Sequence, residues 1–191
     1  GKHYNLLVLD TGRIYRYVAN IKINEPRKFN YKYIKKKIDK LKMKDLQNKK
    51  LSSDKVATIA SIIAKDKKIR KLVHAFQVKC AYNPPRKYDG SCLDGRDIGS
   101  KVVKNADVKF YITANVKVRA MRRYKELKAK NKKITYKEVL KSLIKRDKSD
   151  KNRKISPLKK TKDMVLLNSS SESISSCFMK IKKIIDRKIN S

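Results

Sequence analysis

The residues from Leu93 to Gly99 read Leu-Asp-Gly-Arg-Asp-Ile-Gly, so one short segment holds two carboxylates, one guanidinium and two glycines. The apolar approach Ser91-Cys92-Leu93 predicts a strand that ends in a turn, where backbone and charged groups can both approach a ligand. In an open α/β sheet, ligands bind at the carboxyl ends of the strands. The segment is therefore the first candidate for a binding site, although a surface Asp-Gly turn would also explain it.

The arginines of this chain are few and concentrated. Lysine accounts for 41 of the 53 basic residues and arginine for only 12. Arginine presents a planar fork that pairs with two phosphate oxygens at once, which the point charge of lysine cannot do. Eight arginines lie in or beside the segments discussed below or cluster on one predicted helix: Arg16, Arg70, Arg96, Arg119, Arg122, Arg123, Arg146 and Arg153. Apart from ordinary surface positions such as one of the Arg122/Arg123 pair, we expect them to belong to a site that binds phosphate-bearing ligands.

Phosphoryl transfer is the chemistry that best explains arginines converging from separate segments. It needs anions held in line and developing charge neutralised, and it needs little covalent help from the protein. A nucleobase must also be recognised. Cytosine presents an exocyclic amino donor, which a carboxylate meets best, beside acceptors that an arginine can reach. An Asp–Arg pair near a hydroxyl side chain would therefore suit cytosine.

The elements that must position these residues alternate between short strands and amphipathic helices. Apolar and β-branched runs predict strands at residues 6–9, 91–93, 108–114 and 164–167. Helical spacing and caps predict helices from about 13 to 26, 31 to 47, after Ser52 or Ser53, after Asp66, 115 to 130, after Thr135 to about 150, and 171 to 189. This alternation predicts a parallel α/β sheet.

Composition limits the choice of partners. The 191 residues with 40% apolar content suffice for one domain with room for a small mobile subdomain. The net charge of +36 suggests nucleic acid at first. Because the chain is enriched in Lys, Ile and Asn throughout, we interpret most lysines as a solvated surface that contacts nucleic acid only non-specifically. We expect a monomer, no membrane partner, and a cytoplasmic location with buried, reduced cysteines.

Two further segments join the Leu93–Gly99 segment to make a specific set. Residues 9–16 read Leu-Asp-Thr-Gly-Arg-Ile-Tyr-Arg, and residues 145–153 read Lys-Arg-Asp-Lys-Ser-Asp-Lys-Asn-Arg. Together these segments resemble cytidylate kinase, the bacterial CMP kinase, and the resemblance covers nearly the whole chain. It implies a P-loop-kinase-like parallel sheet flanked by helices. It also implies ATP-dependent phosphorylation of CMP and dCMP to CDP and dCDP, with Mg²⁺.

The resemblance further implies that the chain is divided into regions with different functions. Residues 1–23 and 82–191 would form the kinase core, with a lid at about 131–157, and residues 24–81 would form a helical CMP-binding region. Within the CMP site, Thr11 and Arg16 would contact the phosphate. Ser61 and Arg70 would help to hold cytosine.

The remaining site residues carry over in the same way. Arg96 would reach the phosphate, Asp97 the base, and Asp94 the hydration shell of Mg²⁺. Arg96, Arg153 and Asp94 are thus the expected catalytic residues.

The Arg-Asp-x-x-Asp-x-x-Arg pattern places Arg146 and Asp150 at the ribose and Arg153 at the transferring phosphates. Arg119 and Arg123 resemble the ATP-side arginines of nucleoside monophosphate kinases.

The sequence departs from the family pattern in two respects. Residues 25–51 offer a lysine-rich helix and little strand signal, which indicates a shortened nucleotide-binding insert. No G-x-x-x-x-G-K-[ST] segment is present, and Gly1-Lys2 is followed by His3. We therefore expect the first strand, the phosphate-cradling loop and most of the first helix to be missing. That strand would be central, between residues 91–93 and 108–114.

Two alternative functions remain open at this point. Within kinases, UMP or another pyrimidine monophosphate could replace CMP, since one aspartate does not decide the base. In a different class, the charge would suit a basic RNA- or ribosome-binding protein without catalysis. The lack of an aromatic stacking platform and of an RNA-binding motif counts against that second alternative.

The expected loss of a central strand has a measurable consequence. It removes roughly ten ladder hydrogen bonds at about 1 kcal/mol each and several buried apolar side chains at ~1.5–3 kcal/mol each. That sum is comparable to the whole stability of a domain, about 5–15 kcal/mol. We predict that the 191-residue chain alone is poorly folded and inactive. A cooperative urea transition with an unfolding free energy above ~5 kcal/mol would contradict this.

Overall fold

The computed structural model describes residues 1–130 and 133–190, which form two compact units, Gly1–Ile98 and Gly99–Ser191. Each unit contains a two-stranded parallel sheet and several helices. The predicted division by role follows other boundaries and stays a prediction. Residues 131 and 132, where the predicted lid begins, lie outside the described residues.

The first unit places two parallel strands among five helices. Its elements in chain order are β1 Leu6–Asp10, α1 Gly12–Asn24, α2 Tyr31–Asp39, α3 Met43–Leu46, α4 Asp54–Ile63, α5 Lys67–Tyr82 and β2 Gly90–Asp94. β1 pairs with β2 in a register that sets Asp10 beside Asp94 at the carboxyl edge. Both strands therefore end at the same edge, as ligand binding in a parallel sheet requires.

The core of the first unit follows from the apolar stripes of its helices. Leu9, Ile14, Val18 and Val73 are fully buried, where α1 packs against α4 and α5 packs against β2. The predicted helix starts are confirmed by their caps. The Ser53 hydroxyl accepts from the Val56 N–H, and the Asp66 carboxylate accepts from the Ile69 N–H at 3.0 Å.

The single helix predicted for residues 31–47 is wrong in one respect, because it is broken in two. α2 ends at Asp39, and α3 begins at Met43. The Asp45 carboxylate accepts from the Lys42 N–H at 2.9 Å, so a new helical turn starts here. The apolar spacing survives the break because Ile38 and Leu41 are still buried.

The second unit repeats the combination of two parallel strands with helices. Its elements are β3 Phe110–Thr113, α6 Val116–Lys128, α7 Tyr136–Asn152, β4 Val165–Asn168 and α8 Ile174–Ile189. β3 pairs with β4, with Ile112 beside Leu167. α6 packs against α7 around Ala120, Leu127 and Val139. The predicted capping box of Thr135 and Glu138 at the start of α7 is confirmed.

The last helix lies where it was predicted, but the residues predicted to be buried on it are not buried. We expected α8 to bury Ile174, Phe178, Ile181, Ile184 and Ile185, yet Ile174 is 93% exposed and Phe178 is also exposed. The other three are half-buried. Helical spacing shows that a face is apolar, but it carries no information about which element covers that face.

Two other expectations also need correction or restatement. The parallel sheet takes the form of two separate two-stranded sheets among the described residues. Of the three cysteines, Cys80 is buried, Cys177 is half-buried and Cys92 is exposed on β2, so the expectation of buried thiols is wrong for Cys92. Among the described helices, none has both the length and the apolar character needed to cross a membrane.

A buried lysine in the second unit gives a pH-dependent prediction. The Lys109 side chain is only 8% exposed and is paired with Asp163, which also accepts from the Thr161 hydroxyl. These hydrogen bonds, that of Lys109 first, lower the pKa of Asp163 to about 2. Because the pKa is lowered on folding, the carboxylate stabilises the fold above its unfolded pKa of about 4, and the stabilisation is lost as the pH falls towards 2.

We therefore predict that Asp163→Asn lowers the free energy of unfolding near neutral pH, and that its difference from wild type shrinks below pH 4. Urea unfolding of the full-length protein across this pH range measures the effect. Asp39→Asn is the control, because the side chains of Asp39 and Asp163 are both 56% exposed, whereas Lys35, the partner of Asp39, is itself exposed, and pairs between two exposed side chains contribute little. A difference for Asp163→Asn that does not change with pH would contradict the prediction.

Candidate functional site

Two of the predicted motif segments meet at the carboxyl edge of the first sheet. The backbone N–H of Thr11 and its hydroxyl both donate to the Asp94 carbonyl oxygen, at 3.0 Å and 2.7 Å. Thr11 is only 4% exposed, whereas the Asp94 side chain is exposed. The single proton of the Thr11 hydroxyl is thus used in the hydrogen bond that joins the two segments. Its predicted contact with a phosphate stays a prediction.

The predicted base-binding residues Arg70 and Asp97 form an ion pair in the first unit. Their side chains are 13% and 11% exposed. Arg70 also donates from Nη1 to the Ala64 carbonyl oxygen at 3.0 Å, and its guanidinium lies 5.7 Å from the centre of the Tyr15 ring. A carboxylate and a guanidinium buried to this extent are held by each other and by the surrounding contacts.

The other predicted residues of the first unit are more scattered. Arg16 donates to the Leu51 carbonyl oxygen at 2.9 Å and so ties α1 to the segment that precedes α4. Ser61 is exposed, and its hydroxyl contacts its own helix through the Thr58 carbonyl oxygen rather than the Arg70–Asp97 pair. Arg96 is half-buried in the turn after β2. Their predicted contacts with CMP stay predictions.

In the second unit, both predicted ATP-side arginines are paired with carboxylates. Arg119 donates to the two carboxylate oxygens of Asp147, at 3.0 Å and 2.6 Å, and from Nε to the Ala114 carbonyl oxygen at 2.9 Å. Arg123 donates to Glu126 at 2.7 Å on its own helix. Hydrogen bonds from Lys130 and Arg123 lower the pKa of Glu126 to about 2, so this carboxylate stays ionised at neutral pH.

The Arg-Asp-x-x-Asp-x-x-Arg segment brings its three predicted residues together at the end of α7. Asp150 lies 3.4 Å from Nη1 of Arg153 and 3.8 Å from Nε of Arg146. Arg153 also donates to the Ser156 carbonyl oxygen. The Arg146 side chain is the most exposed of the three at 59%, whereas those of Asp150 and Arg153 are 15% and 20% exposed.

The predicted site residues are divided between the two compact units. The first unit contains Thr11, Arg16, Ser61, Arg70, Asp94, Arg96 and Asp97, and the second contains Arg119, Arg123, Arg146, Asp150 and Arg153. Within the described part of the chain, no group of three or more His, Cys, Asp and Glu side chains could hold a metal ion. The exposed Asp94 carboxylate, with Asp10 beside it in register, fits a magnesium ion that keeps most of its water.

Three residues of this arrangement were not predicted. Arg13 donates to the Asn48 carbonyl oxygen at 3.2 Å, Tyr15 lies against Arg70, and Asp147 holds Arg119. Each is next to a predicted residue or within two or three positions of one in the sequence. This proximity in sequence could have indicated that the three residues belong to the arrangement. Spacing alone, however, does not show which side chains are in contact.

The turn after β2 leaves no room for a side chain at Gly95. A Cβ there would fall on the Thr11 hydroxyl and lie 2.7 Å from Cγ1 of Ile98. We predict that Gly95→Ala lowers the free energy of unfolding of the full-length protein by about 1–3 kcal/mol in urea titrations, because the β1–β2 junction must shift.

Gly12→Ala is the matched control for this change. Gly12 is exposed in the first turn of α1, and its Cβ would approach only the Asp10 carboxylate, at 3.1 Å. We expect its stability to change by less than about 1 kcal/mol. If Gly95→Ala were no more destabilising than Gly12→Ala, the close contact between the two segments would not matter for stability.

Comparison with known proteins identifies similar sequences over nearly the whole chain. The family profile of cytidylate kinase matches residues 1–187. A cytidylate kinase of Clostridium tetani is 37% identical over 204 residues, covering 98% of this chain and 86% of that protein. Those of Bartonella henselae and Bartonella tribocorum are 40% and 41% identical, covering 96% and 92% of this chain and 84% and 80% of their own lengths.

Proposed function

Because this chain belongs to the cytidylate kinase family, we propose that it transfers the γ-phosphoryl group of ATP to CMP or dCMP. In this reaction a phosphate oxygen of CMP attacks the γ-phosphorus atom, and the bond from that atom to the β,γ-bridging oxygen breaks. The products are CDP, or dCDP, and ADP. The protein is accordingly a phosphotransferase with a phosphate group as acceptor.

The observation that carries the proposal is the buried Arg70–Asp97 pair. The Asp97 carboxylate suits the exocyclic amino group of cytosine, and the Arg70 guanidinium suits the acceptors beside it. Uracil presents a carbonyl oxygen where cytosine has the amino group, so a carboxylate at that position repels it. Because the pair is already assembled and held by Ala64 and Tyr15, base recognition needs little reorganisation.

The phosphate of CMP requires cationic groups near the β1–β2 edge. Arg96 lies in the turn after β2 and Arg16 on α1, and we assign both to the acceptor phosphate, with Thr11 joining their segments. Ser61 is assigned to the base on the same proposal. These groups neutralise charge and orient the acceptor, as phosphoryl transfer demands.

The remaining assignments concern residues of the second unit. Asp150, held between Arg146 and Arg153, is assigned with Arg146 to the ribose. Arg153 is assigned to the transferring phosphoryl group, where a guanidinium neutralises developing charge. Arg119 and Arg123 are assigned to ATP.

Magnesium completes the proposed set of cofactors. The ion, when bound with ATP, neutralises part of the phosphate charge. Asp94 is assigned to its water shell because its carboxylate is exposed at the strand end. We also propose that the protein acts as a monomer in the cytoplasm and contacts nucleic acid only non-specifically through its lysines.

The experiment is an assay of ADP production by the full-length protein with ATP, Mg²⁺ and CMP, dCMP or UMP. We expect turnover with CMP and dCMP to exceed that with UMP. Asp97→Asn should lower kcat/KM for CMP by at least about 100-fold, because it removes the charged acceptor for the amino group of cytosine and leaves Arg70 without its buried counter-charge.

Asp39→Asn, a charge change on an exposed helix face, is the control and should behave as wild type. Circular dichroism checks that Asp97→Asn is folded. Equal turnover of CMP and UMP, or discrimination that survives Asp97→Asn, would contradict the proposal. RNA binding that falls steeply with salt, does not depend on Asp97 and is accompanied by no turnover would favour a non-catalytic RNA-binding protein.

A further inference from the structure

Of the two arginines predicted to bind ATP, Arg119 donates more hydrogen bonds within the protein than Arg123 does. All three of its guanidinium nitrogens donate, two of them to Asp147 and Nε to the Ala114 carbonyl oxygen. Arg119 and Asp147 are each 33% exposed. Arg123, by contrast, pairs with Glu126 on an exposed helix face three residues away.

These contacts join three elements at one point. Ala114 directly follows β3, Arg119 lies in the first turn of α6, and Asp147 belongs to α7. The carboxyl end of a parallel strand is the position at which ligands bind in α/β folds. Arg119 is therefore fixed at a strand end of this kind by groups from both sides.

The geometry also decides whether Arg119 must leave Asp147 in order to act. A guanidinium has five N–H donors, of which residues in the described part of the chain accept three, so one remains on each terminal nitrogen with respect to those residues. Breaking a two-pronged, half-buried pair would leave the Asp147 carboxylate without its counter-charge. Using the two remaining donors requires no such loss, and the contacts with Asp147 and Ala114 already fix the plane in which these donors lie.

We propose that Asp147 is a positioning residue, which holds the Arg119 guanidinium at the end of β3 so that its two remaining N–H groups bind the phosphates of ATP. The inference rests on the proposed function, and specifically on ATP as the donor. A guanidinium fixed in this way loses little rotamer freedom when it takes a phosphate. The role of Asp147 is thus in ATP affinity, and it acts through Arg119 alone.

The test measures the dissociation constant of the full-length protein for a fluorescent N-methylanthraniloyl derivative of ATP with Mg²⁺. Asp147→Asn keeps the size of the side chain but removes its charge and one acceptor oxygen. We expect it to raise this dissociation constant by about tenfold, a coupling of about 1.4 kcal/mol. The dissociation constant for CMP should stay within about twofold of the wild-type value, which is the variation expected when a substitution does not affect a site.

Arg119→Lys separates positioning from a purely structural effect. Lysine keeps the charge but cannot form the two-pronged pair. In the Arg119→Lys background, Asp147→Asn should cause no further loss of ATP affinity. Asp186→Asn is the matched control, because Asp186 also pairs with a base, Lys182, at a similar exposure of 34%, and it should leave ATP binding unchanged.

Three results would overturn the inference. They are unchanged ATP affinity in Asp147→Asn, tighter ATP binding, which would make Asp147 a competitor of the phosphates, and an equal loss in the Arg119→Lys background. Wild type that binds the ATP derivative but does not phosphorylate CMP counts against the proposed function only, since the binding cycle can still be measured. Wild type that does not bind the derivative overturns both.

Discussion

The parallel pairing of β1 with β2 is the constraint on which the first unit depends. It brings residues 83 positions apart into contact, since both donors of Thr11 meet the Asp94 carbonyl oxygen. Only glycine fits at position 95 because this contact is so close. The turn that follows then carries Asp97 to Arg70, where the two charges are buried together. The position of the base-binding pair is thus a consequence of how two strand ends meet.

Three arginines of the predicted site, from both units, are held by the same combination of contacts. Arg70, Arg119 and Arg153 each combine a carboxylate with a backbone carbonyl oxygen as acceptors. Contacts of this kind fix the plane of a guanidinium, which matters for recognition of flat bases and of phosphates. Lysine has no planar fork, so a lysine that is held, as Lys109 is by Asp163, fixes the position of a charge but not the orientation of a plane. The concentration of arginine in the motif segments is consistent with this difference.

Local rules explain what could be predicted from the sequence. Strands and helix starts at Ser53, Asp66 and Thr135 were predictable because a cap or an apolar run acts within a few residues. The break between α2 and α3 was missed because a single carboxylate, Asp45, starts the new turn. The burial of α8 and the partner of Arg119 depend on contacts between distant segments. Sequence spacing cannot supply these contacts, whereas the motifs could still indicate which residues belong to a site.

Because the site arginines are paired with carboxylates, the groups that attract a nucleotide from a distance differ from the groups that recognise it on contact. Most of the +36 charge belongs to lysines, and their summed field reaches an approaching nucleotide over about a Debye length, ~10 Å at 0.1 M salt. Groups such as Arg70 and Arg119, each balanced by an aspartate, add little to that field and act only at contact. Ionic strength should therefore govern how fast anionic nucleotides arrive. How long they stay depends on hydrogen bonds that salt screens much less.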